Sequence, residues 1–292
     1  MSLVSFVHVA EDRYETLKKS IEKSLDLINF DFGRKARKIV IKPNMCYYYH
    51  PSTGEVTDPY FVGVLIDVLM KHFADAEIFV VESDASAMKC KYAFHILGYD
   101  KLARDKGVNL VNLSEGRSRT VDVEVNNAKF TFYLHELFYE ADLVVNVPKP
   151  KYMNDVKITC ALKNMFGCNA YPRKYVYHWA LNEAIVGINK LIKTDLVVLD
   201  GLVVSGKYTK KLNLVMSSMD PVALDAAAAK IMGIEPKSVK QIVLASREGL
   251  GSLSFFAVGD YLYAAREFPK KGFKDNVREA VASFYLEVMR ED

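Results

Sequence analysis

From Leu143 to Val147 the chain reads Leu-Val-Val-Asn-Val, then breaks into Pro148-Lys149-Pro150-Lys151. An almost unbroken apolar run that short, ended by proline, suits a strand buried on both faces, which in turn asks for a mostly parallel sheet covered by helices on either side. The same kind of run recurs at Lys38 to Ile41, Glu77 to Val81 and Leu196 to Leu199. Helical spacing lies between the runs: Leu17, Ile21 and Leu25 fall on one stripe of a segment from Glu11 to Leu27 that follows a first strand at Val4 to Val9. This β-α-β order predicts an α/β fold with right-handed crossovers between parallel strands.

The remaining elements follow from local signals. Asp58 as N-cap and Pro59 as the first helical residue start a helix to about Phe73, and Asp220-Pro221 repeats the device before an alanine-rich helix. Short helices are expected at Tyr92 to Leu97 and Asp100 to Lys106, and longer ones at Asn182 to Ile192, Pro236 to Arg247 and Asn276 to Met289. Further strands fall at Asn109 to Leu113, Leu212 to Met216 and Phe255 to Val258. Val121, Val123 and Val125, then Phe130, Phe132 and Leu134, alternate with polar residues about Asn126-Asn127, which predicts an antiparallel hairpin around 119–135. With 292 residues, half of them apolar, the chain can bury a large core as one unit over 1–292, with two interlocked lobes at 1–140 and 141–292.

After the Pro-Lys-Pro-Lys break, helical periodicity is read from Asn154 as cap, with Asp155 in the first turn and Gly167 as the stop. On such a helix Ile158, Leu162, Met165 and Phe166 face a core, while Lys157, Cys160 and Asn164 share another side. Ligands of open α/β sheets sit beyond the carboxyl ends of strands. Three strand ends there deliver Lys42 with Asn44, then Glu82, then Lys149 with Lys151. The aromatic loop from Tyr47 to Pro51, leading to Thr57-Asp58, is long for a connector and reads either as one wall of a pocket or as packing against a second subunit of a homodimer.

The motifs Lys149-Pro150-Lys151, Thr159-x-Ala161-Leu162-Lys163-Asn164-Met165-Phe166-Gly167 and Asp220-Pro221-Val222-Ala223-Leu224-Asp225 resemble those of domain of unknown function 362. Ile41-Lys42-Pro43-Asn44, Thr57-Asp58-Pro59, Glu82-Ser83, His178 and Asp200-Gly201 fall in that family's order, so the likeness spans roughly residues 38 to 251. The resemblance names no reaction. Some members carry appended ferredoxin-like cysteine clusters, which implies redox or metal chemistry in part of the family; this chain is expected to lack such a domain. It also departs from the family at Tyr152-Met153, where many members have a histidine, and at Ser205-Gly206-Lys207-Tyr208, where many have a Gly-Pro loop.

Charge narrows the partners. Lys and Arg total 39 against 36 Asp and Glu, a net +3 that is too balanced to point to nucleic acid. No apolar run reaches bilayer length and the N-terminus has no leader pattern, so a soluble, cytoplasmic protein is expected, with no membrane partner. The four cysteines, Cys46, Cys90, Cys160 and Cys168, form no Cys-x-x-Cys pair and read as reduced thiols. A metal or iron–sulfur site built from them is the sharper, less favoured alternative. No Walker motif or Gly-x-Gly-x-x-Gly follows a strand, which disfavours a nucleotide site, and no cofactor follows from these residues.

The expectation is therefore an enzyme acting on a small anionic metabolite in a lysine-rich cleft at strand ends. Lys42, Asn44, Thr57, Asp58, Lys151, Asn164, Arg173 and Asp200 are the candidate ligand-binding residues, and Lys149, Lys163, His178 and Glu82 the candidate catalytic ones. Grouped lysines depress one another's pKa, so one of them, Lys149 or Lys163, can be a neutral base or imine-forming amine. His178 is the candidate general acid or base, against a packing role beside Trp179. Two alternatives from other classes are a metal-dependent redox module and a non-catalytic binder of a metabolite or RNA.

Overall fold

The structure is a computed structural model that describes residues 1–11 and 13–272. Its strands are β1 (Ser2–His8), β2 (Lys38–Pro43), β3 (Glu77–Glu82), β4 (Asn109–Asn112), β5 (Ser118–Val125), β6 (Ala128–His135), β7 (Leu143–Val147), β8 (Lys151–Met153), β9 (Lys157–Thr159), β10 (Leu196–Ser205), β11 (Thr209–Ser218) and β12 (Phe255–Gly259). The α-helices are α1 (Tyr14–Leu27), α2 (Pro59–His72), α3 (Cys90–Ile96), α4 (Tyr99–Lys106), α5 (Leu137–Glu140), α6 (Ala161–Met165), α7 (Leu181–Leu191), α8 (Pro221–Ile231), α9 (Lys240–Arg247) and α10 (Tyr261–Glu267). The helix expected at Asn276 to Met289 lies outside the described residues.

One sheet carries the fold, in the order β12-β1-β11-β10-β7-β2-β3-β4, with β8 and β9 attached at the end of β10. The run β10-β7-β2-β3-β4 is parallel throughout, while β11 is antiparallel to both β1 and β10. The apolar strands divide their side chains between two cores by simple alternation. Ile39, Ile41, Leu143 and Val145 join the layer of α1 to α4, whereas Val40 and Val144 join the layer of α6 to α9. The predicted hairpin forms as the separate pair β5-β6, and its Phe130, Phe132 and Leu134 pack into that second layer.

Both Asp-Pro devices work as expected. Asp58 accepts the Tyr60 N–H at 2.9 Å, and Asp220 Oδ1 accepts those of Val222 and Ala223, each at 2.9 Å. Among the described residues no helix is long and apolar enough to cross a membrane.

The stretch after Val147 departs from expectation. Residues 154 onward do not start a helix; Lys151 to Met153 pair antiparallel with Lys157 to Thr159 around a turn that puts Lys157 in the left-handed region at φ +63°. Helix α6 starts only at Ala161, where Asp225 from α8 accepts the backbone N–H groups of Ala161 and Leu162 at 2.6 and 3.1 Å. A distant carboxylate thus supplies the cap that Asn154 and Asp155 were expected to provide, because β8 is drawn into pairing with β10 at Ser205.

Candidate functional site

Strands β7, β2 and β3 are parallel neighbours, so their carboxyl ends share one rim. Lys42 lies on the face of Val40, toward α6, in register with Asn146 of β7. Its ammonium donates to Oε2 of Glu82 at 2.7 Å and to the Pro43 carbonyl at 2.7 Å, while Oε1 of Glu82 accepts the Ser83 N–H at 2.9 Å. Gly167 closes over this pair. A Cβ there would lie 3.0 Å from Lys42 Cε and 3.1 Å from Glu82 Oε1, so the stop expected from helix chemistry is in fact a packing requirement.

Amides brace the rim. Asn164 on α6 donates to the Lys42 carbonyl at 3.0 Å and to Oδ1 of Asn146 at 2.7 Å, and accepts from Asn44 at 3.0 Å. Lys151 then reaches Oδ1 of Asn44 at 3.1 Å and the Glu55 carbonyl at 2.8 Å. These bonds fix β2, β7, β8 and α6 against one another, which holds the neighbouring side chains in place.

Beside them opens a cleft of about 390 Å³ lined by Lys42, Asn44, Glu82, Ser83, Lys151, Thr159, Lys163, Asn164 and Lys174, with Met45, Cys46, Tyr47, Met88, Met153, Phe166, Tyr175 and His178 among its other walls. Three of its four lysines are held by oxygen acceptors; Lys174 donates to the Ser83 hydroxyl and, at 2.9 Å, to the Asp84 carbonyl. Lys163 is the exception. Half-buried, it has no hydrogen-bonded oxygen among the described residues and rests 5.1 Å from the centre of the Phe166 ring. Burial pushes its pKa down, and the nearby ammonium groups of Lys151 and Lys42 act in the same direction, against the opposing pull of Cys46 and Asp155. Burial likewise lowers Lys174, to about 8.

Several predicted residues serve elsewhere. Lys149 does not reach the cleft; it is fully buried, 3.2 Å from Oδ2 of Asp200 and bonded to the Val203 carbonyl. Asp200 also accepts the backbone N–H groups of Asp58 and Leu202, each at 3.0 Å, and so acts as an internal brace. Thr57 bridges the Asn44 N–H and the Val147 carbonyl at 2.8 and 2.7 Å, and Asp58 caps α2. Arg173 is exposed and lies outside the cleft walls, while exposed His178 sits at the cleft edge, shared with a groove beside Trp179. Cys90, Cys160 and Cys168 are buried with thiol pKa values pushed up by burial; Cys46 alone lines the cleft. Among the described residues no three of His, Cys, Asp and Glu gather where they could hold a metal ion.

Sequence reasoning missed Lys174, Ser83 and Asn146. Lys174 belongs to a 3-10 segment (Lys174–Ala180) with no periodic signature, and only its adjacency to the recognised stretch pointed its way. Asn146 was readable as a polar residue inside the apolar run of β7, which is a cheap signal for a buried amide with a specific partner.

The fold is thus a mainly parallel α/β sheet with a lysine-rich cleft at the ends of its central strands. The family model described as "Domain of unknown function (DUF362)" matches residues 39–230, more than half of the chain, and the protein belongs to that family. The thylakoid-associated protein sll1697 of Synechocystis sp. is 25% identical over 233 residues, covering 75% of this chain and 70% of that protein. Among solved structures, the lactate racemase apoprotein from Thermoanaerobacterium thermosaccharolyticum overlaps 80% of this chain at a TM-score of 0.47 and 12% identity. This chain spans 58% of that one, and a likeness so distant carries no statement about chemistry.

Proposed function

We propose that the protein is an enzyme acting on a small anionic metabolite held in the cleft between α6 and the ends of β2 and β3. The observation that carries this reading is Lys163, a half-buried amine in a cleft with three other lysines and one glutamate, and with no oxygen acceptor of its own among the described residues. A buried ammonium is costly to leave unpaired, and an anionic ligand supplies the missing acceptor.

In this reading Lys151 and Lys174, fixed by their carbonyl and hydroxyl partners, orient the acid group as point charges. The Lys42–Glu82 pair supports the floor. Lys163, whose pKa burial lowers, is the group placed to take a proton from a carbon or oxygen next to the bound acid.

Calorimetric titration of the protein with inorganic phosphate and a panel of small mono- and dicarboxylates tests the reading. At least one of these anions is expected to bind, about ten-fold more weakly to Lys163→Met, with unchanged circular dichroism. No binding by the panel, or equal binding by a folded Lys163→Met, would overturn it.

A further inference from the structure

We infer that the ligand of this cleft carries an apolar body beyond its acid group, and that Tyr47 and Tyr175 form the wall that receives it. The inference rests on the reading of the cleft as an anion site and adds what lies beyond the lysines.

Opposite in character to the lysines, Met45, Met88 and Met153 also line the cleft, together with the rings of Tyr47, Tyr175 and Phe166. Thioethers and aromatic rings adapt to apolar surface and offer little to a hydroxyl-rich one. Tyr47 and Tyr175 are 49% and 58% exposed, and although Tyr47 meets the Tyr49 ring at 5.9 Å, both keep surface available to a ligand.

The backbone of Tyr47 adds an independent sign. Its φ of +57° is left-handed, a conformation that L residues with a bulky side chain rarely adopt. Two anchors hold it there. Met45, two residues before, is buried in the core, and the hydroxyl of Tyr48 accepts the Lys89 N–H at 2.9 Å. Glycine would satisfy this turn without strain, so a tyrosine here points to use of the ring rather than of the turn.

A matched set of phosphates separates the charge from the body: inorganic phosphate, glycerol 3-phosphate and phenyl phosphate, titrated calorimetrically at one pH and ionic strength. Phenyl phosphate is expected to bind about ten-fold more tightly than the other two, since a buried phenyl group removes a large apolar area from water. In Tyr47→Ala and in Tyr175→Ala, both exposed positions, that ratio should narrow to about three-fold or less. Tyr47→Gly should narrow it equally while raising the melting temperature, as relief of left-handed strain predicts. A wild-type ratio near one overturns the inference and leaves the anion site standing. A large ratio that survives in both alanine variants overturns the assignment of the wall. Failure of all three phosphates and of the carboxylates to bind removes the anion site itself, and the inference with it.

Discussion

The ammonium of Lys42 lies 2.7 Å from Oε2 of Glu82, with the two side chains 1% and 4% exposed. Both Glu82 oxygens are therefore committed, one to this ammonium and one to the Ser83 N–H. Glu82 was expected among the catalytic residues, yet a carboxylate so engaged is better suited to holding a charge in place than to moving a proton. Removing one partner from such a pair leaves an uncompensated buried charge, which costs about 3–5 kcal/mol. Urea unfolding of Lys42→Met and of Glu82→Leu should show losses of that order. The double variant should lose less than the sum of the two; strict additivity would mean that the pair is not coupled.

Gly167 tests the same place by volume. Its would-be Cβ meets side chains locked in an ion pair, so neither can give way freely. Gly167→Ala should lose about 1–3 kcal/mol of stability, as overpacking does elsewhere, and should weaken anion binding as Lys42 is displaced. Wild-type stability and affinity in this variant would show the contact to be slack.

Lys149 and Lys163 came from one stretch but should behave differently. Lys149→Met strands the Asp200 carboxylate and should lower the stability read from urea unfolding by about 3 kcal/mol or more, with partial recovery in Lys149→Met combined with Asp200→Asn. Lys163→Met should change stability little and anion affinity strongly. Calorimetry and unfolding on the two variants together decide the matter, and reversed outcomes would place the working amine at Lys149.

Asp225 should make the fold sensitive to pH. Burial raises its pKa from 3.8 to about 7, although the N–H groups of Leu162 and Ala161 pull the other way. The folded state therefore binds a proton that the unfolded chain has released, so this group's contribution is fully present below about 3.8 and is lost as pH rises to about 7. Unfolding curves between pH 4 and 8 should show wild type falling relative to Asp225→Asn over that window. A carboxyl carbon resonance titrating near 4 would contradict the assignment.

Lys174, lowered to about 8 by burial, should limit binding at high pH. Anion affinity is expected to fall as pH rises through about 8, where one positive charge leaves the cleft, and this step should be missing in Lys174→Met. The fold itself should gain stability from about 8 to 10.5, because the unfolded chain keeps a proton there that the folded one has shed. A binding step that persists unchanged in the variant would assign the titration to another group.

Much of this architecture could be read without coordinates, for a local reason. An apolar run such as that of β7 divides by strict alternation between two cores, and Asp58-Pro59 or Asp220-Pro221 starts a helix through bonds to residues two or three positions away. Parallel neighbours then bring the ends of β2 and β3 together, so the meeting of Lys42 with Glu82 followed from the order of elements. Lys163, Lys151 and Asn164 were legible as part of one basic, amide-bearing stretch.

What the local pattern could not carry was decided at long range. Asn154 and Asp155 have the chemistry of a helix start, but the pairing of β8 with β9 and a carboxylate from Asp225 moved that start to Ala161. Lys149 and Lys151, two positions apart, look alike in sequence, and an unbroken strand would put both on one face; one is turned inward onto Asp200 and the other reaches the cleft, because β7 ends at Val147 and a new strand begins at Lys151. The chain by itself determined which residues could bear charge at the rim. Only the tertiary structure decided which of those charges found partners and which, at Lys163, has no oxygen acceptor among the described residues, since an ammonium is neutralised by groups near it in space and not by those near it in sequence.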